Sequence, residues 1–95
     1  MNTTAPHHDL QISSEMTGRT IRLTLNGTAD LSSLDQLESE LLKASARRPQ
    51  HVLIDMRHLE SIAALANGAL SVFANAVRNQ GGAVRFLLQP TAQAA

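Results

Sequence analysis

Apolar positions along the chain change their spacing from two residues to three or four and back, and each change marks an element. Leu10, Ile12, Ser14 and Met16 share one phase of a period-two pattern, which predicts a first strand with one buried face. Thr17-Gly18 can turn the chain, after which Ile21, Leu23 and Leu25 alternate with Thr20, Arg22 and Thr24 as a second strand. So short a turn makes the two an antiparallel hairpin, and Asn26-Gly27 ends the pair. From Leu31 the period becomes helical, through Leu34, Leu37, Leu41 and Leu42. Ser33 and Gln36 have capping-box spacing, Asp35 suits the positive end of the helix, and Arg47-Arg48 suit its negative end before Pro49 stops it.

Val52-Leu53-Ile54 is an unbroken apolar run, the pattern of a central strand covered on both faces, with Asp55 closing it. A loop is expected from Met56 to Leu65. Ala66, Ala69, Leu70, Phe73, Ala76 and Val77 then form the cleanest helical stripe in the chain, ended by a Gly81-Gly82 C-cap. Val84, Phe86 and Leu88 alternate with Arg85 and Leu87 as a last strand. The order is β-β-α-β-α-β. Its two strand–helix–strand units imply parallel pairing with right-handed crossovers, and the hairpin makes the sheet mixed. The expected division is a flexible tail over 1–8, one α/β domain over 9–90 and a flexible tail over 91–95.

Composition narrows the function. Ninety-five residues hold one core, and with only two phenylalanines and no tryptophan or tyrosine there is no aromatic platform for bases or sugars. Eight basic and eight acidic residues cancel, and Arg47-Arg48 is the only adjacent basic pair, so nucleic-acid binding is not expected. No run approaches a membrane span, and Met1 to Gln11 has no signal-peptide pattern. The absence of cysteine excludes disulfides and fits a cytoplasmic protein.

Four histidines, His7, His8, His51 and His58, lack the spacing of a helical or finger-type metal site, so no cofactor or metal is expected. Asp30 and Asp55 both follow strands, and one sheet edge could bring them together as an acid–base pair. With no nucleophile and partnering base beside them, the favoured roles are a helix cap for Asp30 and loop-amide binding for Asp55. Gly81-Gly82 follows a helix and lacks a Lys-Ser/Thr partner, so it is no phosphate loop. An enzyme is therefore not expected. Arg78 is the only charged residue between Glu60 and Arg85. Asn67, Ser71, Asn75 and Asn79 recur every four residues as an uncharged polar stripe. Such a face loses no ionic hydration when covered, which favours an interface.

Three segments together resemble the STAS domain family, the fold of anti-sigma-factor antagonists and stressosome scaffolds. They are Leu23 to Asp30, with a strand ending in Gly-x-x-Asp; Val52 to Met56, an apolar strand followed by Asp; and Gly81 to Phe86, the glycine-led start of the last strand. The resemblance covers about Asp9 to Pro90. It implies a mixed sheet of about four strands with helices on one side, and a protein-interaction role. In phosphorylatable members the second helix begins with Asp-Ser-Ser-Gly or Asp-Thr-Ser-Gly, where a kinase modifies a serine. Counted from Asp55 without gaps, that motif falls on Ala63-Ala64-Leu65-Ala66, so acid and acceptor are both alanine. Ser61 lies three residues ahead of the acceptor position and is read as a loop serine.

The resemblance thus implies an antagonist locked in a state like the unphosphorylated one, or a scaffold subunit of a regulatory or transport complex, for example for lipids. Its partner would be an anti-sigma kinase-like protein or a transporter or scaffold subunit, with self-association left open and no direct membrane insertion. The expected partner-binding residues are Asp30, Asp55, Ser61, Ala63, Ala64, Leu65, Asn67, Gly68, Ser71 and Asn75. The alternative is a small-ligand or nucleotide-sensing STAS domain. Many members continue into a further helix after the last strand, and without it one sheet face is expected to be less covered.

Overall fold

The structure, a computed structural model, describes residues 9–89. The tails expected over 1–8 and 91–95 lie outside the described residues. Two strands, β1 (Gln11–Thr17) and β2 (Thr20–Ala29), form the hairpin. Only Gly18-Arg19 separates the facing pair Thr17 and Thr20, and Gly18 takes a φ of 61°. Glycine at the first central position of a two-residue turn is what the right-handed twist of the two strands requires. Pairing with β1 ends at Asn26, but β2 itself runs on through Asn26-Gly27 to Ala29.

A short 3-10 turn (Leu31–Ser33) leads into α1 (Leu34–Ala46), followed by β3 (His51–Ile62), α2 (Ala64–Asn79) and β4 (Ala83–Leu87). The sheet order is β1-β2-β3-β4, with β2, β3 and β4 parallel. Two successive right-handed crossovers that step in the same direction put both helices on one face. There Ile21, Leu23, Leu25, Val52 and Ile54 pack against Leu37, Leu41, Ala66, Leu70, Phe73 and Val77 in one core. This is the mixed four-stranded, two-helix arrangement expected from the sequence.

Four local expectations need correction. First, the capping box is not Ser33–Gln36. The Ser33 hydroxyl turns back to Asp30, accepting from its amide at 3.0 Å and donating to its carbonyl at 3.0 Å. Asp30 therefore caps the 3-10 turn ahead of the helix, while Gln36 donates to the Leu10 carbonyl and ties α1 to the start of β1. Second, Leu31 and Leu42 are exposed rather than in the core. Leu31 precedes α1, and Leu42 is rotated by about 100° from Leu41, which already faces the sheet.

Third, the stretch expected as a loop from Met56 is mostly strand: β3 does not close at Asp55 but continues to Ile62. Its register against β2 shifts twice, between Thr24 and Asn26 and again between Gly27 and Thr28. Each shift adds one residue to β3, as a bulge does. The inward residues Met56, Leu59 and Ile62 are consequently three apart, which hides the strand from a period-two reading. Fourth, β3 is covered on one face only. On the other, half-buried Leu53 lies between Arg22 and Arg85 on the neighbouring strands.

Candidate protein-docking surface

The second helix begins directly above the end of the sheet. Ile62 pairs with Ala29, and the Ala63 amide donates to the Ala29 carbonyl at 2.7 Å. Ala63 is the N-cap, in extended conformation (φ −73°, ψ 154°) and without a side-chain oxygen to bind the first helical amides. The first intrahelical bond runs from the Asn67 amide to the Ala63 carbonyl at 2.9 Å. Ala64 is the first residue of the helix and is exposed.

This junction gathers most of the residues expected at the site. Asp30 follows Ala29 at the end of β2, beside the Ala63 junction, and Ser61 pairs with Thr28 one residue earlier. Ser61 is thus in a strand, not in a loop. Its side chain is exposed, as are those of Leu65, Asn67, Ser71 and Asn75, and Gly68 opens onto space. Asn79 is exposed too, so all four members of the polar stripe face away from the core. Beside the stripe, α2 also exposes two large apolar side chains, Leu65 (62 % exposed) and Val72 (71 % exposed). Val72 belongs to neither the apolar nor the polar row expected from the sequence; it lies between the buried Leu70 and Phe73 in the chain and is turned outward.

Asp55 does not belong to this group. It is opposite Thr24, six residues before Asp30 along β2, or roughly 20 Å away at strand rise. The two aspartates therefore cannot form an acid–base pair. Asp55 is 1 % exposed, on the sheet face without helices, where it accepts hydrogen bonds from Arg57 and Arg22. The Arg57 side chain and amide, and then Arg22, hold the Asp55 carboxyl far below the usual carboxylate range against the opposing effect of burial, and Asp55 in turn raises the Arg57 pKa. A carboxylate held this firmly in its charged form is a structural ion, not a proton acceptor.

Among the described residues, no group of three or more His, Cys, Asp and Glu side chains could hold a metal ion, and no helix is long and apolar enough to cross a membrane. What the α2 surface offers is an uncharged helix start of alanine, leucine, glycine and asparagine. Covering it desolvates no ion.

The model of the STAS domain family matches residues 11–91, and this chain belongs to that family. No sequence among curated proteins matches it. Its fold is shared with solved anti-sigma-factor antagonists. One from Mycobacterium paratuberculosis is 17% identical with a TM-score of 0.74, covering 95% of this chain and 92% of that one. A STAS domain from Rhodobacter sphaeroides is 20% identical with a TM-score of 0.67, covering 82% and 85%. The Bacillus cell fate determinant SpoIIAA, solved in its phosphorylated form, is 18% identical with a TM-score of 0.70, covering 86% and 75%. At these identities the likeness is one of fold.

Proposed function

We propose that this chain is a non-catalytic docking module of the cytoplasm that binds a protein partner through the start of α2 and the adjoining sheet end. The surface comprises Asp30, Ser61, Ala63, Ala64, Leu65, Asn67, Gly68, Ser71 and Asn75. Asp55 is left out because the register places it on the far part of the sheet. The observation that carries the reading is Ala64, exposed as the first residue of α2, where the family's phosphorylatable motif has its acceptor. A methyl group there cannot be phosphorylated, so the start of α2 stays uncharged and available at all times. That is the behaviour of an antagonist fixed in the unphosphorylated-like state. It equally suits a scaffold subunit of a regulatory or transport assembly, such as one for lipids. The partner is accordingly an anti-sigma kinase-like protein or a transporter or scaffold subunit.

The test is affinity capture from native lysate with wild type, Asn67→Arg and Ala64→Asp in parallel, each checked by circular dichroism. The Asn67→Arg substitution places a charge where the partner must exclude water. An aspartate at position 64 imitates the charge of a phosphate at a helix start, where a negative charge favours the helix itself. A stoichiometric partner kept by wild type and lost by both variants supports the reading. Equal capture by all three proteins removes the surface from consideration.

A further inference from the structure

Three chain connections meet at the amino-terminal end of the parallel strands: the hairpin turn Gly18-Arg19, the segment 47–50 after α1 and the segment 80–82 after α2. Backbone bonds tie them together. The Gln50 amide donates to the Arg19 carbonyl at 2.8 Å, and the Ala83 amide donates to the Gln50 carbonyl at 2.8 Å. Between them is a cleft of about 170 Å³ whose lining includes Arg19, Arg48, Gln50, Gln80, Gly81 and Gly82. It is at the opposite end of α2 from Ala63-Ala64, roughly 24 Å away along a helix of 16 residues.

The charges at this end are of one sign. The segments 16–20, 44–51 and 77–83 carry Arg19, Arg47, Arg48 and Arg78 and hold no aspartate or glutamate. The carboxyl ends of both helices point here, each with roughly half a negative charge. Arg47, the C-cap of α1, and Arg78, in the last turn of α2, offset those two ends. Arg47 also turns aside to the Met16 sulfur and does not line the cleft. Arg19 and Arg48 are left over. Both are exposed, and among the described residues neither guanidinium has a hydrogen bond or an ion pair. Arg48 is also the one described residue other than glycine with a positive φ, 50°. Glycine would hold that conformation without a Cβ penalty. An arginine kept there, with no partner inside the fold, points to a partner outside it.

We propose that this cleft binds a doubly charged oxyanion, the dianion of a phosphate monoester, between Arg19 and Arg48. Two unpaired guanidinium groups match its two charges, and their planar forks suit phosphate oxygens. The side-chain amides of Gln50 and Gln80 have N–H donors for the remaining oxygens. Volume sets the size of the ligand. Drug-sized molecules occupy roughly 300 Å³ or more, so the cleft takes the phosphate group and not a whole nucleotide, whose base would find no aromatic side chain in the lining. A small soluble ester and a lipid headgroup present this same chemistry. The inference does not depend on the proposed docking role, which concerns the other end of α2.

Titration of isotope-labelled protein with glycerol phosphate, at an ionic strength held constant with chloride, tests it through amide chemical shifts. Saturable shifts should centre on residues 18–20, 48–51 and 80–83. Arg19→Ala and Arg48→Gly should each weaken binding about tenfold or more, the worth of a charge-assisted hydrogen bond. Arg48→Gly relieves the backbone, so its loss of binding is not a loss of fold. Arg47→Ala removes the same charge from the same end of the molecule and should bind nearly as wild type does. Sedimentation with phosphatidylcholine vesicles, with and without phosphatidic acid, separates the two sources. Pelleting that needs phosphatidic acid and is lost in Arg48→Gly assigns the phosphate to a lipid headgroup. Saturable shifts without pelleting assign it to a small ester. Neither saturable shifts nor pelleting overturns the proposal. So does equal weakening by Arg47→Ala, which would mean diffuse basic charge in place of a site.

Discussion

Arg57 closes on Asp55 from two residues further along the same strand: its amide and Nε donate to Oδ1 at 3.1 and 3.0 Å, and its Nη2 donates to Oδ2 at 2.9 Å. Arg22 on β2 adds a bond to Oδ2 at 3.1 Å. The carboxylate is almost fully buried while both arginine side chains are nearly half exposed, 46% and 45%. The acid is thus roofed by the aliphatic stems and guanidinium planes of its partners. The amide bond falls inside the first β3 register shift, so the clamp also fixes the bulge that gives the strand its later register.

A pH dependence follows from this clamp. The folded-state pKa of Asp55 is depressed, so the native protein binds fewer protons than the unfolded chain once pH drops below the ordinary aspartate value. The stabilisation is complete above about pH 4 and is lost progressively as pH falls toward the folded value. Asp55→Asn should lower the melting temperature at neutral pH and flatten its decline in acid. Parallel acid limbs for the two proteins would show that the clamp adds nothing to folding.

Gly82 and Gly68 should respond oppositely to alanine. A Cβ on Gly82 would lie 2.8 Å from Val77 Cγ1 and 3.0 Å from the Pro49 carbonyl, and the backbone cannot step aside cheaply. Gly82→Ala should cost about 1–3 kcal/mol through overpacking. Gly68 is inside α2 with nothing within 4 Å of an added Cβ, so Gly68→Ala should stabilise by about 0.5–1 kcal/mol. Urea titrations of both variants measure the contrast.

The two helices end differently. After α2, the Gly81 amide bonds the Arg78 carbonyl and the Gly82 amide bonds the Val77 carbonyl, with Gly81 at a φ of 91°. This is a complete Schellman motif. After α1, the equivalent left-handed residue is Arg48, at a φ of 50°, and Pro49 has no amide to supply the second bond. Arg48→Gly should therefore stabilise by about 0.5–1 kcal/mol, since glycine carries no Cβ penalty there. A fall in melting temperature would mean that the arginine side chain contributes more than its backbone strain removes.

Ala63 is an N-cap without a cap. Its extended conformation already suits a capping side chain. Ala63→Asp should add about 1 kcal/mol, or roughly 4–8 °C in a domain of this size. An unchanged melting temperature would show that an introduced carboxylate does not reach the amides of the first turn.

How much was legible varied by element. The order of elements could be read because β2 keeps strict alternation and α2 keeps one stripe, Ala66 to Val77, that buries as a unit. In β1, by contrast, only Ile12 is partly buried, and Ser14 and Met16, expected on its buried face, are exposed. The Ala63-Ala64 positions were found by counting from Asp55, and the structure places them at the start of α2. The second half of β3 was not legible, because two bulges turn its inward spacing from two residues into three. The clamp on Asp55 was equally hidden: Arg22 is 33 residues away in the chain, and only sheet register brings it alongside.

The sequence by itself determined the number and order of strands and helices, the parallel crossovers and the uncharged character of α2, since these depend on local periodicity and residue type. The tertiary structure alone decided which leucines are core, where β3 ends and which aspartate lies near the start of α2. Those depend on helix rotation against the sheet and on strand register. Both are set by packing between distant segments, where a shift of one residue reverses which face a side chain meets.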